Sequence, residues 1–187
     1  MVTKFPPERS VKPIDGERLE QLALAYVARF AVSSAKLEGY LRRKLHERGW
    51  AGKGEPPVAR LVERFVSAGY VDDAAYARSK DRGLLARGYG RRRIDQALMA
   101  AGIDEGLRLS LRGREAAERR AALAMARKRR FGPFGASEPD RAQKERQLAA
   151  MLRAGHPLDS AREMVNAASI AAAEQWAAQA GEDEICD

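Results

Sequence analysis

Apolar residues recur at intervals of three and four along most of this chain, the period of helices that each bury one face. Leu19, Leu22, Ala23, Tyr26, Val27 and Phe30 form the first stripe and predict a helix over roughly 17–31. Ser33 and Ser34 offer capping oxygens to a second helix carrying Leu37, Leu41 and Leu45. Pro56-Pro57 opens a third through Val58, Leu61, Val62, Phe65 and Val66. The stops share a form, a glycine followed by a large residue: Gly49-Trp50, Gly69-Tyr70, Gly102-Ile103 and Gly155-His156. Glycine takes the left-handed conformation at a helix C-terminus, and the bulky residue after it folds back on the last turn.

Gly49, Gly102 and Gly155 are evenly spaced, 53 residues apart. Leu45, Leu98 and Met151 fall in register four residues upstream, and Leu41 and Ile94 match, with Gln147 the weaker third. Matching apolar positions make this a repeat rather than chance spacing. The chain is therefore expected to be all-α, built of tandem three-helix repeats that touch mainly their neighbours and form an elongated, curved molecule. Residues 1–16, with Pro6, Pro7, Pro13 and Gly16, read as a mobile arm. Residues 17–71, 72–113 and 114–175 read as the three repeats, and 176–187 as a frayed acidic tail. In the second repeat Asp72-Asp73 opens a helix, another restarts after Gly90, and a short one lies near 104–112. In the third, a basic helix ends at Arg130, the loop Phe131-Gly132-Pro133-Phe134-Gly135 follows, and one helix runs from about Pro139 to Ala154. The last helix begins after Pro157 and extends to the alanines around Ile170.

Charge changes the picture through its distribution. The net +8 comes from the middle: residues 1–77 carry 13 basic and 10 acidic groups, residues 78–130 carry 16 and 6, and residues 131–187 carry 5 and 10. Such a balance suits a polyanionic partner. No segment has the apolar core of a signal peptide or the length of a membrane span, so a cytoplasmic location is expected. The lone Cys186 has no disulfide partner in the chain.

Particular residues then carry a family likeness. The string Ala68-Gly69-Tyr70-Val71-Asp72-Asp73-Ala74-Ala75-Tyr76-Ala77 resembles the most distinctive segment of RecX proteins. Arg87-Gly88-Tyr89-Gly90-Arg91-Arg92-Arg93-Ile94 and Leu98-Met99-Ala100-Ala101-Gly102-Ile103 continue it. Upstream, Ser34-Ala35-Lys36-Leu37-Glu38-Gly39-Tyr40-Leu41 and Leu45-His46-Glu47-Arg48-Gly49-Trp50 look like the family's first repeat. The likeness covers about residues 20–105 and weakens beyond. It implies three-helix repeats, no cofactor, and a regulator of DNA repair, recombination and the SOS response. Its partner would be a RecA filament on single-stranded DNA, whose strand exchange, ATP hydrolysis and coprotease activity it would inhibit. Apart from the resemblance, a monomer is expected.

Three constellations have chemical readings. Asp72 and Asp73 could suggest metal or acid–base chemistry, but their place fits an N-cap and a dipole-stabilised first turn better. Gly88-Tyr89-Gly90 before three arginines resembles a phosphate cradle, yet lacks the Gly-Lys-Ser/Thr ending, and an interhelix turn explains it better. The basic runs Arg42-Arg43-Lys44, Arg91-Arg92-Arg93 and Arg127-Lys128-Arg129-Arg130 read equally as solvated faces or as contacts to the filament or to nucleic acid. The arginines at 91–93 are expected to add little to the fold, because cations at a helix start oppose its dipole. His46 and His156 are too isolated for a triad or zinc site, and surface or capping roles are expected. Trp50, Tyr70 and Tyr76 read as packing residues, so no base-stacking platform is indicated. A rival reading is an independent DNA-binding protein with the 72–102 helices as a helix-turn-helix. A basic nuclease lacks any convergent acidic or histidine motif.

Overall fold

The computed structural model describes residues 12–113 and 115–183, and the elements among them are helical, with no strand. It divides into two compact units after Asp73. The first holds α1 (Gly16–Arg29), α2 (Ser34–Arg48) and α3 (Val58–Ser67). Asp15 caps α1 by accepting the Arg18 N–H at 2.8 Å, and Ser33 caps α2 by accepting the Lys36 N–H at 3.3 Å. Leu19 and Ala23, Leu37 and Leu41, and Val58, Leu61, Val62 and Phe65 meet from the three helices in one core. Asp73 does more than sit in a first turn. Its carboxylate accepts the Ser34 N–H at 2.8 Å and the Ser34 hydroxyl at 2.6 Å, satisfying a donor at the start of α2.

Two expectations change in this unit. The end of the N-terminal arm is anchored: Ile14 is fully buried, its N–H donates to the Gly49 carbonyl at 3.0 Å, and its carbonyl accepts the Ala51 N–H at 2.9 Å. Residues 1–11 of that arm lie outside the described residues. Gly49, for the same reason, is not a fold-back stop. It has φ +80°, but the chain leaves it extended to pair with Ile14.

The second unit holds α4 (Asp73–Ala86), α5 (Arg91–Met99), α6 (Glu105–Ser110), α7 (Glu115–Arg129), a 3-10 turn at Gly132–Phe134, α8 (Arg141–Arg153), α9 (Leu158–Asn166) and α10 (Ile170–Asp183). Its apolar residues form two clusters that share α7. Ala121 faces Leu84, Leu85, Ile94 and Leu98, while Ala122 and Ala126 face Met151, Met164 and Ala173. Small residues on both α7 and α10 let these helices pack closely. Two expectations fail here. The last predicted helix is two, broken between Asn166 and Ile170. The acidic tail from 176 continues α10, with Trp176 packed and Ala177 buried, while 184–187, including Cys186, lie outside the described residues.

The helix stops follow one hydrogen-bond pattern. At Gly69-Tyr70, Gly102-Ile103 and Gly155-His156, the glycine N–H returns to the carbonyl three residues back and the next N–H to the carbonyl five back, as in Tyr70 to Phe65. Gly88-Tyr89 and Arg130-Phe131 do the same, and neither was foreseen as such a stop. Among the described non-glycine residues, only Arg130 has positive φ, at +56°. Of the aligned apolar positions, Leu41, Ile94, Leu98 and Met151 are fully buried and Leu45 is partly buried; Gln147, the polar one, accepts the Gly132 N–H at 2.8 Å.

One seam fixes α5 against the end of α8. The Gly90 N–H donates to the Ala154 carbonyl at 3.0 Å and the Arg92 N–H to the Gly155 carbonyl at 3.2 Å. A Cβ on Gly90 would lie 2.3 Å from Gly155 backbone, and one on Gly155 would lie 2.4 Å from the Arg93 nitrogen. A Cβ on Gly69 would meet nothing within 4 Å, so only its φ of +76° opposes substitution. Gly69→Val should therefore cost about 1–2 kcal/mol of stability, and Gly155→Ala should cost more, from collision added to strain. Thermal and urea unfolding check this order; an equal or smaller loss for Gly155→Ala would remove the seam's importance.

Candidate functional site

The cations singled out by sequence fall into two physical groups, those the fold neutralises and those it leaves unpaired. On α2, Arg42 holds Glu38 at 2.6 Å, Lys44 holds Glu47 at 2.6 Å, and Arg43 lies 3.7 Å from Glu47. These are exposed pairs within one helix, worth little to stability but enough to reduce the local field.

Arg91 is a correction. Its side chain is only 11% exposed; its Nη2 reaches the fully buried Asp81 at 2.5 Å, and its Nη1 donates to the Leu111 carbonyl at 3.1 Å. Its Nε lies 3.3 Å from Asp95, which also holds Arg112 at 2.7 Å. A guanidinium in that position ties α4, α5 and the end of α6 together, so it belongs to the fold. Consecutive residues fan around a helix by about 100°, and Arg92 and Arg93 consequently point outward; both are exposed and pair with no carboxylate among the described residues.

The phosphate-cradle reading fails on the same geometry. Backbone donors at the start of α5 are taken by the Ala154 and Gly155 carbonyls, and Gly88 packs against Met125 of α7. His156 is buried rather than superficial, and its Nε2 is 3.0 Å from the Gly88 carbonyl, so Nε2 carries the proton and donates. Burial lowers its pKa, with the Gly88 bond partly opposing. Stability tied to the neutral ring is present above the ordinary histidine value and is lost as pH falls.

On α7, Arg127 pairs with Glu174 of α10 and lies 5.6 Å from the Phe134 ring centre. Lys128, Arg129 and Arg130 are exposed and have no carboxylate partner among the described residues. The candidate contacts in the second unit thus reduce to Arg92 and Arg93 on α5 and Lys128, Arg129 and Arg130 at the end of α7. The turn between α4 and α5 packs at Gly88 against Met125 of α7. Glu118, half-buried on α7, was not singled out by sequence. Its pKa is raised, chiefly by desolvation, with Arg91 opposing and Asp81, Asp95 and Glu115 adding to it. Among the described residues, no group of three or more His, Cys, Asp or Glu could hold a metal ion, and no helix is long and apolar enough to cross a membrane.

Comparison with known proteins points one way. The family model described as RecX, second three-helix domain, matches residues 72–108. A Regulatory protein RecX of Myxococcus xanthus is 32% identical over 157 residues, covering 79% of this chain and 84% of that protein. One from a Mycobacterium species is 34% identical over 110 residues, covering 56% of this chain and 58% of that protein. Among solved structures, RecX from Lactobacillus salivarius matches with a TM-score of 0.63 at 17% identity, covering 80% of this chain and 94% of that one. A second structure of regulatory protein RecX matches at 0.62 and 21% identity, covering 80% and 70%.

The two arginine groups predict different phenotypes. Arg91→Ala strips a buried carboxylate of its guanidinium and should cost about 3 kcal/mol or more, whereas Arg92→Ala and Arg93→Ala should each stay within about 0.5 kcal/mol; urea unfolding checks the contrast. Glu118 gives the second prediction. Its folded-state pKa is raised, so its stabilising protonated form is lost as pH rises through that value, and Glu118→Gln should be more stable than wild type at pH 7. The gain should shrink toward about pH 4, where the wild-type carboxyl is itself protonated. A gain unchanged with pH would contradict the assignment.

Proposed function

The chain belongs to the RecX family of regulatory proteins, and from that membership we propose that it binds a RecA recombinase filament on single-stranded DNA and restrains it. The carrying observation is its identity with a Regulatory protein RecX over most of both chains. Binding, in this reading, inhibits strand exchange, ATP hydrolysis and coprotease activity in the cytoplasm, without a cofactor and without chemistry by the regulator itself. The cations that attach it are those with no internal role: Arg92 and Arg93 of α5, and Lys128, Arg129 and Arg130 at the end of α7. They are solvated and their long side chains reach outward, so pairing with acidic groups costs little refolding.

The helix-turn-helix alternative asks the start of α5 to enter a DNA groove, because the first residues of a recognition helix contact base edges. Gly155 and His156 lie across that start, and the Ala154 and Gly155 carbonyls already accept the Gly90 and Arg92 N–H groups. The filament reading does not require that terminus to be open.

The test is inhibition of RecA ATP hydrolysis and strand exchange on single-stranded DNA, across a salt series, beside binding to RecA alone and to DNA alone. Wild type should prefer the assembled filament. Combined Arg92→Ala and Arg93→Ala should reduce inhibition while the melting temperature holds, and the difference should narrow as salt screens the interaction. Equal inhibition by variant and wild type at every salt concentration would return these arginines to solvent. Equal affinity for filament and bare DNA would favour the independent DNA-binding reading.

A further inference from the structure

We propose that α1 and α2 of the first unit form a stacking site for the bases of single-stranded nucleic acid, separate from the basic residues of the second unit. Five side chains make a continuous column. The Arg29 guanidinium lies 5.4 Å from the ring centre of Phe30; Phe30 lies 5.5 Å from Tyr26 at an interplanar angle of 56°. Tyr26 stacks on Tyr40 at 4.1 Å and 4°, and Arg43 lies 5.6 Å from the Tyr40 ring centre. The rings come from two helices, whereas the strongest basic runs of the sequence contain no aromatic residue. Interleaving of cations with rings was therefore invisible along the chain.

Packing alone accounts for the middle of the column but not its ends. Tyr26 and Tyr40 are partly buried against the core, and their stack closes α1 on α2. Phe30, at the C-cap of α1, is 50% exposed. Beyond Tyr26 and Tyr40 the column ends on exposed groups: Arg29 over the half-exposed Phe30 ring, and Arg43 over the outer side of Tyr40. A cation over an exposed ring contributes modestly, about 0.5–1 kcal/mol, so it is readily exchanged for another flat, polarisable surface. A nucleobase offers such a surface, and the displaced guanidinium then has a phosphate to pair with on the same strand.

The charges nearby support a polyanion of this kind. Arg29 pairs with no carboxylate among the described residues, and Arg43 shares the single carboxylate of Glu47, at 3.7 Å, with Lys44 at 2.6 Å, so the pair of cations keeps a net positive charge. Arg42 is turned to Glu38 and takes no part. Bases in a duplex are already stacked on each other, so a half-exposed ring with an arginine beside it selects unpaired strands. This inference does not rest on the RecA reading, since it requires only the isolated chain and bare nucleic acid.

The experiment measures anisotropy of the full chain with a fluorescein-labelled oligothymidylate, an abasic strand of equal length and a duplex, at several salt concentrations. Phe30→Leu should weaken oligothymidylate binding about fivefold or more, with the salt slope unchanged, while Phe30→Tyr should preserve it. Arg29→Ala should flatten the slope of log affinity against log salt. The abasic strand should bind more weakly and should not distinguish Phe30→Leu from wild type. Circular dichroism checks that helicity is retained; if Phe30→Leu unfolds, the slope for Arg29→Ala and Arg43→Ala decides. Equal binding of abasic strand and oligothymidylate by wild type would overturn the proposal and leave only charge. Unchanged slopes for both arginine variants, or no binding to any strand, would overturn it too, whatever the outcome with RecA filaments.

Discussion

The close approach of Gly90 to Gly155 is the constraint on which the second unit depends. Two backbones pass without a side chain between them, and the hydrogen bonds they exchange hold the start of α5 on the end of α8. Everything nearby follows from that distance. Arg91, one residue on, is turned inward to Asp81 and Asp95, and His156, one residue past the seam, is turned inward to the Gly88 carbonyl. Arg92 and Arg93 are left outside. The seam thus sorts three consecutive arginines into one that builds the fold and two that remain available to a partner.

Much of the fold was legible because its punctuation is local. A glycine before a large residue ends a helix through bonds that reach back only five residues, and Gly69, Gly102 and Gly155 carry that pattern in the chain itself. Gly49 shares the letters but not the geometry, since Ile14, far upstream, takes up its carbonyl. Arg130 shares the geometry but not the letters. An arginine in the left-handed region carries no sequence signature, which is why the stop after α7 was read only from the end of its charged run.

The candidate site was less legible, because a cation's availability depends on what lies opposite it. Arg91, Arg92 and Arg93 look alike as a string; Asp81 and Leu111, the partners that separate Arg91 from the others, stand 10 and 20 residues away. Glu174 reaches Arg127 across 47 residues in the same manner. Burial sets the weight of each contact: Asp81 is fully enclosed, and losing its cation leaves a charge that water cannot reach, while the exposed pairs on α2 exchange one solvated state for another.

Arg130 joins the two themes. Every other described residue at positive φ is a glycine, including those at the equivalent helix stops, and left-handed backbone costs a residue with a Cβ about 1 kcal/mol or more. The turn itself gives no reason for the exception: Phe131 makes the fold-back bond to Ala126 as Tyr70 does to Phe65 after Gly69. Nor does an internal partner, since the Arg130 side chain is exposed and meets no carboxylate among the described residues. What the position gains from arginine is a cation that continues the run of Lys128 and Arg129 past the end of α7, at the negative pole of the helix dipole, where positive charge is favourable. A strained backbone maintained for a charge the fold does not use is the pattern expected of a contact residue, which is why Arg130 stands with Lys128 and Arg129 among the proposed contacts.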